Sequence, residues 1–192
     1  MTLAPLLLCR CFSDPRLFEG ILMSIISTRI DGLELRLATE ADAPTILNFI
    51  QQLADYEKLS DQVVATEQKL RDTLFADKAY AEVVLANYQG KDVGFALFFH
   101  NYSTFLAKPG IYLEDLFVEP ACRGAGVGKA LITYLAKLAV ERDCGRLEWS
   151  VLDWNQPAID FYQSLGAVML HDWRINRVTG ATLTQMAALF PA

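Results

Sequence analysis

The segment Arg123-Gly124-Ala125-Gly126-Val127-Gly128 limits what this chain can fold into more than any other stretch. It stands between an apolar run at 111–118 and a run with Val127, Leu131, Leu135 and Leu138 at helical spacing, closed by Gly145. Glycines at such a corner let successive backbone N–H groups approach an anion, and a helix N-terminus adds positive potential. Arg123 and Lys129 add formal charge beside them. The ligand this corner predicts is a pyrophosphate; the alternative is a tight glycine-rich connection that binds nothing. Two commoner phosphate motifs do not fit. A Walker loop needs glycine where Arg123 stands and Ser or Thr where Ala130 stands. A dinucleotide fingerprint needs its third glycine at Lys129.

The surrounding pattern alternates strands with helices. Leu33, Leu35 and Leu37 alternate with Glu34 and Arg36, as a half-buried strand does. Thr39, Asp42 and Pro44 read as a helix start, and Ile46, Leu47, Ile50 and Leu53 carry that helix to about Tyr56. A second helix is expected from Thr66 to Leu74. Strands at 80–86 and 93–99 flank a glycine-containing loop, a hairpin pattern. Pro109-Gly110 reads as punctuation before the central strand at 111–118, whose apolar run is broken only by Glu114 and Asp115. A strand at 147–151 follows, then a helix capped by Asn155, with Pro157 in its first turn, ending near Gly166. Strands are expected at 168–175 and 182–190. The fold class is therefore α/β, a mixed and mostly antiparallel twisted sheet of about seven strands with helices on both faces.

The 192 residues suit one domain, expected over 23–192. Residues 1–22 read as a dispensable extension: the apolar run at 3–8 lacks a basic flank and is too short to span a membrane, and Met23 would serve as an alternative start. A formal charge of −6 disfavours a nucleic-acid partner. Cys9, Cys11, Cys122 and Cys144, with two distant histidines, lack zinc spacing, so no metal is expected and a reducing cytoplasmic setting is.

Tyr112-Leu113-Glu114-Asp115-Leu116-Phe117-Val118, followed by the glycine corner, resembles the spermidine/spermine and thialysine N-acetyltransferases of the GNAT superfamily. So do Trp154-Asn155-x-Pro157-x-Ile159-x-Phe161-Tyr162, the Gly166-Ala167 after them, Leu53-Ala54-x-Tyr56-Glu57 and Trp173-Arg174. The similarity spans about 33–188. It implies acetyl-CoA as cosubstrate, with Leu116, Phe117 and Val118 pairing with its pantetheine arm. Backbone amides over Arg123, Gly124, Ala125, Gly126, Val127, Gly128 and Lys129 would hold the diphosphate, and Asn155 and Tyr162 would contact the cosubstrate. It also implies a homodimer that exchanges a C-terminal strand within 170–190, with no membrane or nucleic-acid partner.

The chemistry asks for a base and an acid. An alkyl ammonium has a pKa near ~10.4 and must lose a proton before it attacks a thioester. Glu114 interrupts an apolar strand, where burial would raise its pKa toward a useful range; a carboxylate with a purely structural partner is the alternative. Strand alternation separates Glu114 from Asp115, although the resemblance places both near the amine. Tyr162 is the candidate acid for the departing thiolate, or else a core aromatic in a helical stripe. Tyr56 and Glu57 would bind the ammonium, or form an exposed helix end. Direct transfer is preferred to a covalent route through Cys122, because no histidine lies in the matching motifs. The acceptor expected is a small cationic primary amine, a lysine-like amino acid, diamine or polyamine. Its alternatives are a protein or peptide amine, or a chain that only binds acetyl-CoA.

Overall fold

Leu33 and Leu35 are buried and Glu34 between them is exposed, so the alternation does set one strand face inward. In the computed structural model, which describes residues 25–191, this segment is β2 (Leu33–Leu37) of a six-stranded sheet. The expectation for residues 1–22 lies outside the described residues. The strands follow chain order: β1 (Ile26–Ser27), β2, β3 (Glu82–Tyr88), β4 (Lys91–Ser103), β5 (Lys108–Val118) and β6 (Leu147–Trp149). Each neighbouring pair is antiparallel except β5 and β6, which run parallel. β1 was not expected from the pattern; two residues are too few to show a period.

Two helices connect β2 to β3. A short turn at Glu40–Asp42 leads into α1 (Ala43–Glu57), and α2 is Glu67–Leu74. The Asp42 carboxylate accepts from Thr39 N–H at 2.7 Å and from the Thr39 hydroxyl at 2.9 Å, which fixes the entry. It also takes a two-point contact from Arg36 at 2.8 and 2.9 Å, and Arg36 reaches Asp92 at 2.7 Å. Lys58, at φ 62, closes α1 in the left-handed conformation. Ala43, Ile46 and Phe49 form its buried face, three residues apart.

Phe49 organises the core on that face. Its ring stacks on Phe95 at 5.7 Å and tilts against Phe117 at 5.9 Å, beside Val83 and Leu85. α3 (Val127–Glu141) runs along β3, β4 and β5, and none of its buried residues Val127, Leu131, Ile132, Leu135 and Ala139 belongs to that cluster. Val84 and Ala86 are wholly buried on the alternate face of β3. The helices therefore cover both faces of the sheet.

Three expectations need correction. The hairpin between β3 and β4 turns on two residues, Gln89 and Gly90, both at positive φ (52 and 82), and not on a six-residue loop. That is the primed turn that matches strand twist. Pro109 and Gly110 lie inside β5 rather than before it. β6 begins to pair only at Ile111, so Pro109 needs no N–H there, and a Cβ on Gly110 would strike Asn101 and Arg146.

The third correction concerns the C-terminus. The chain forms two compact units, one ending at Ser150 and one beginning at Val151. The second holds α4 (Gln156–Ser164) and α5 (Gly180–Ala187). The strand expected at 182–190 is α5 instead, since Ala, Leu, Gln and Met favour a helix once Thr179 starts it. No strand forms at 168–175 among the described residues; Val168, Leu170, Trp173 and Ile175 are exposed, and a strand without a paired neighbour leaves its backbone unsatisfied. No described helix is long and apolar enough to cross a membrane.

Because Phe49 joins α1 to two strands, Phe49→Ala should cost about 3–5 kcal/mol. Urea denaturation should show the loss as a lower midpoint with an unchanged slope.

Candidate active site

Strand β6 follows β5 for three pairs only, Ile111 with Leu147, Tyr112 with Glu148 and Leu113 with Trp149. From Glu114 to Val118 the described strands pair with β5 on the β4 side alone. There Gly94 stands opposite Val118, and a Cβ on it would come within 2.6 Å of the Phe117 carbonyl oxygen, so glycine permits that close approach. The other edge of Leu116, Phe117 and Val118 is left for an extended chain to pair with.

The split begins at a β-bulge. Leu97 pairs with Asp115 and Phe98 with Leu113, leaving Glu114 as the extra residue. The alternation that would have put Glu114 and Asp115 on opposite faces is interrupted at that point. Glu114 is exposed, and burial falls on Asp115. The sequence reading had assigned the desolvated carboxylate to Glu114. Burial pushes the Asp115 carboxyl up to about 6, and the negative charges of Glu114 and Glu57 push the same way. Glu57, at the end of α1, is also raised by burial. The charges of two carboxylates thus bear on a third, Asp115, where β5 leaves β6.

The glycine corner lies just beyond. A short turn at Pro120–Cys122 leads to Gly124 and Gly126, at φ 82 and 86, and Gly126 is the N-cap of α3. No side chain caps this helix. Its first intrahelical bond here is Ala130 N–H to Gly126 O at 2.9 Å, which leaves the amides of Val127, Gly128 and Lys129 in the unsatisfied first turn. Capping side chains do serve α2, through Thr66, and α4, through Asn155. The donor set suits a diphosphate: backbone dipoles at a helix start, glycine conformations that need no Cβ, and Lys129 exposed beside them.

Arg123 does something the sequence did not announce. Its guanidinium lies 4.8 Å from the centre of the Tyr56 ring and 5.9 Å from that of Phe117, and its Nε donates to Val118 O at 3.1 Å. Such stacking holds a planar cation in place. The structure therefore brings Tyr56 at the end of α1 against the loop that follows β5, with Glu57 its neighbour in sequence. No spacing rule connects residues 67 positions apart; only the folded sheet does.

In the second unit, Asn155 accepts from Ala158 N–H at 3.3 Å as the cap of α4. Tyr162 lies seven residues later, two turns along the same face, half-buried with its ring 5.3 Å from that of Phe161. Cys122 and Cys144 are free thiols, and no group of three or more metal-ligating side chains occurs among the described residues.

The chain is similar in sequence and fold to known proteins. Residues 49–167 match the model of the acetyltransferase (GNAT) family. A thialysine N-epsilon-acetyltransferase of Bos taurus is 38% identical over 164 residues, covering 80% of this chain and 96% of the relative. An L-ornithine N5-acetyltransferase of Arabidopsis thaliana is 36% identical over 194 residues, covering 78% and 85%. Among solved structures, an integron cassette protein from the mobile metagenome of V. cholerae superposes with a TM-score of 0.70 at 27% identity, covering 81% of this chain and 98% of the other. This chain therefore belongs to the acetyltransferase (GNAT) family and is an N-acetyltransferase.

Proposed function

We propose that the chain moves the acetyl group of acetyl-CoA directly onto the primary amine of a small cationic acceptor, a lysine-like or ornithine-like amino acid or a short diamine. The observation that carries this reading is the place where β6 departs from β5. An open strand edge at Leu116, Phe117 and Val118, the amides from Arg123 to Lys129 and a buried carboxylate at Asp115 all adjoin it. The strand edge pairs with the pantetheine arm and the amides hold the diphosphate, which orients the thioester toward Asp115. Relatives that carry thialysine and ornithine in their names favour an amino-acid amine as acceptor.

In this reading, Asp115 and Glu57 attract the ammonium, and Asp115 or Glu114 takes its proton, directly or through water. The neutral nitrogen then attacks the thioester carbonyl. By the family resemblance, and not by any placement of the second unit, Tyr162 is assigned as donor to the leaving sulfur and Asn155 as a contact of the cosubstrate. Tyr56 steadies Arg123 at the border between the two substrates.

Exposed apolar residues of the second unit, among them Leu170, Trp173, Leu183 and Phe190, support a homodimer that covers them. Light scattering on the full chain should give twice the chain mass of 21.4 kDa; a monomer at micromolar concentration would remove that part of the reading. The free Cys122 and Cys144 thiols agree with a reducing cytoplasmic compartment.

Turnover is measured as thiol release from acetyl-CoA with thialysine, lysine, ornithine, putrescine and spermidine. Release above hydrolysis for none of them sinks the proposal. Gly126→Val should abolish measurable CoA binding, because φ 86 is forbidden to valine and its side chain would meet Ile30. Glu114→Gln should lower turnover while sparing CoA affinity, and an unchanged rate across pH would leave Glu114 without a base role.

The pH dependence follows from Asp115. A base works when ionised, so kcat/KM for the amine should fall as pH drops below about 6. The same carboxyl, near 3.8 when unfolded, holds its proton more tightly in the native state. It therefore weakens folding as pH rises from about 4 through about 6. Asp115→Asn should lose activity yet raise Tm at pH 7 and leave it nearly unchanged at pH 4, read by thermal melts at both values.

A further inference from the structure

The sheet face that carries Asp115 continues past the bulge toward β6. Phe95 and Phe117 belong to the core against α1, Leu97 packs on that core, and Asp115 pairs with Leu97. Alternation brings Phe99 and Asn101 to the same face of β4, and Tyr112 is the partner of Phe99. The Phe99 and Tyr112 rings meet at 5.3 Å and are half-buried, whereas Phe98, Ile111 and Leu113 on the other face are buried. Parallel pairing carries the face onto β6. Glu148 lies opposite Tyr112 there, and the Ser150 and Tyr112 hydroxyls share a bond of 2.8 Å. Arg146, two residues before Glu148, takes the same side.

Arg146 and Glu148 are a pair of opposite charges, with side chains 35% and 32% exposed and Arg146 Nε 2.8 Å from Glu148 Oε2. The pair does not satisfy itself. Arg146 Nε makes no aligned hydrogen bond, and it and the neighbouring Asn101 Oδ1 are buried atoms without a partner among the described residues. Asn101 Nδ2 donates to the same Oε2 at 2.8 Å, and Arg146 Nη2 donates to Tyr102 O at 3.3 Å. Among the described residues, Glu148 Oε1 and Arg146 Nη1 are left to meet something else.

The step from Leu97 to Phe99, with one strand spacing across to β6, sets this pair about 8 Å from Asp115. That separation matches the reach of an ornithine or lysine side chain. An acceptor with its reacting amine at Asp115 therefore presents its far end to a cation and an anion side by side. An α-carboxylate beside an α-ammonium is the complement of such a pair. A diamine brings only a second ammonium, which Arg146 repels, and a lysine within a peptide brings neither charge.

We propose that Arg146 and Glu148 read the amino-acid end of the acceptor, with Arg146 Nη1 donating to the α-carboxylate and Glu148 Oε1 accepting from the α-ammonium. The inference rests on the acetyl-transfer reading above and adds the residues that select a free amino acid over a diamine. Neither side chain touches the reacting atoms; both determine which acceptors bring an amine to Asp115.

The test compares ornithine with putrescine, which differ by the carboxylate alone, as kcat/KM on the full chain at saturating acetyl-CoA. The wild type should favour ornithine by about tenfold or more. Arg146→Met should lower the value for ornithine about tenfold more than that for putrescine, and Arg146→Lys should restore part of the difference. Glu148→Gln should lower both, since each acceptor places an ammonium there. A wild type that uses putrescine as well as ornithine overturns the assignment whatever the variants do, and so does an equal loss for both acceptors in Arg146→Met. Either result leaves acetyl transfer to amines standing. Thiol release with no amine at all overturns the transfer reading as well. Matching thermal melts of the variants and the wild type assign the losses to recognition and not to the fold.

Discussion

Every backbone amide and carbonyl taken from water needs a partner, and strand β5 meets that requirement differently along its length. As far as Leu113 it is an interior strand with neighbours on both sides; beyond that residue it has a strand on the β4 side only. Beyond Leu113 the described strands therefore leave one edge of β5 open. An extended molecule that carries its own amides can pair along such an edge. The bulge at Glu114 marks the change, because one extra residue in β5 increases the local twist at the point where β6 separates.

The same place concentrates the unusual electrostatics. Three carboxylates, Glu57, Glu114 and Asp115, lie close enough that burial and the charges of the other two hold the Asp115 proton to higher pH. Asp115 is the one perturbed most because it is the more buried and pairs with Leu97 of β4, while Glu114 on the bulge stays in water. Next to these carboxylates lies the core, where Phe49 packs against Phe95 and Phe117. Phe117 belongs to both regions, since its ring closes the core and also receives the Arg123 guanidinium. The active-site strand is thus anchored by an aromatic cluster two residues from its perturbed acid.

Much of this was legible in the amino-acid order. The periods at Leu33–Leu37 and Ala43–Glu57 gave the right elements, because a binary pattern over one or more turns leaves few alternatives. Asn155 was readable as a cap, and Gly126 as the start of a helix, from residue chemistry alone. What could not be read depends on neighbours distant in sequence. No local signal marks a bulge, so the roles of Glu114 and Asp115 were inverted with respect to burial. Pro109 and Gly110 signalled a break, although a strand edge that starts pairing two residues later accommodates both. Thr182 and Thr184 around Leu183 imitated strand alternation inside what is helix α5, since β-branched residues carry only a weak preference. The stacking of Arg123 on Tyr56 is a tertiary fact, and the sequence offered each residue only as an isolated candidate.

The way Arg123 is held bears on how cosubstrate capture responds to its surroundings. With the guanidinium committed to two ring faces and to the Val118 carbonyl, the proposed attraction for a diphosphate would come chiefly from peptide dipoles at the head of α3. Peptide dipoles do not titrate. If the proposed acetyl-CoA reading holds, acidification that protonates Asp115 would leave that grip untouched, and the enzyme would idle with its donor already loaded, waiting only for an amine it can deprotonate.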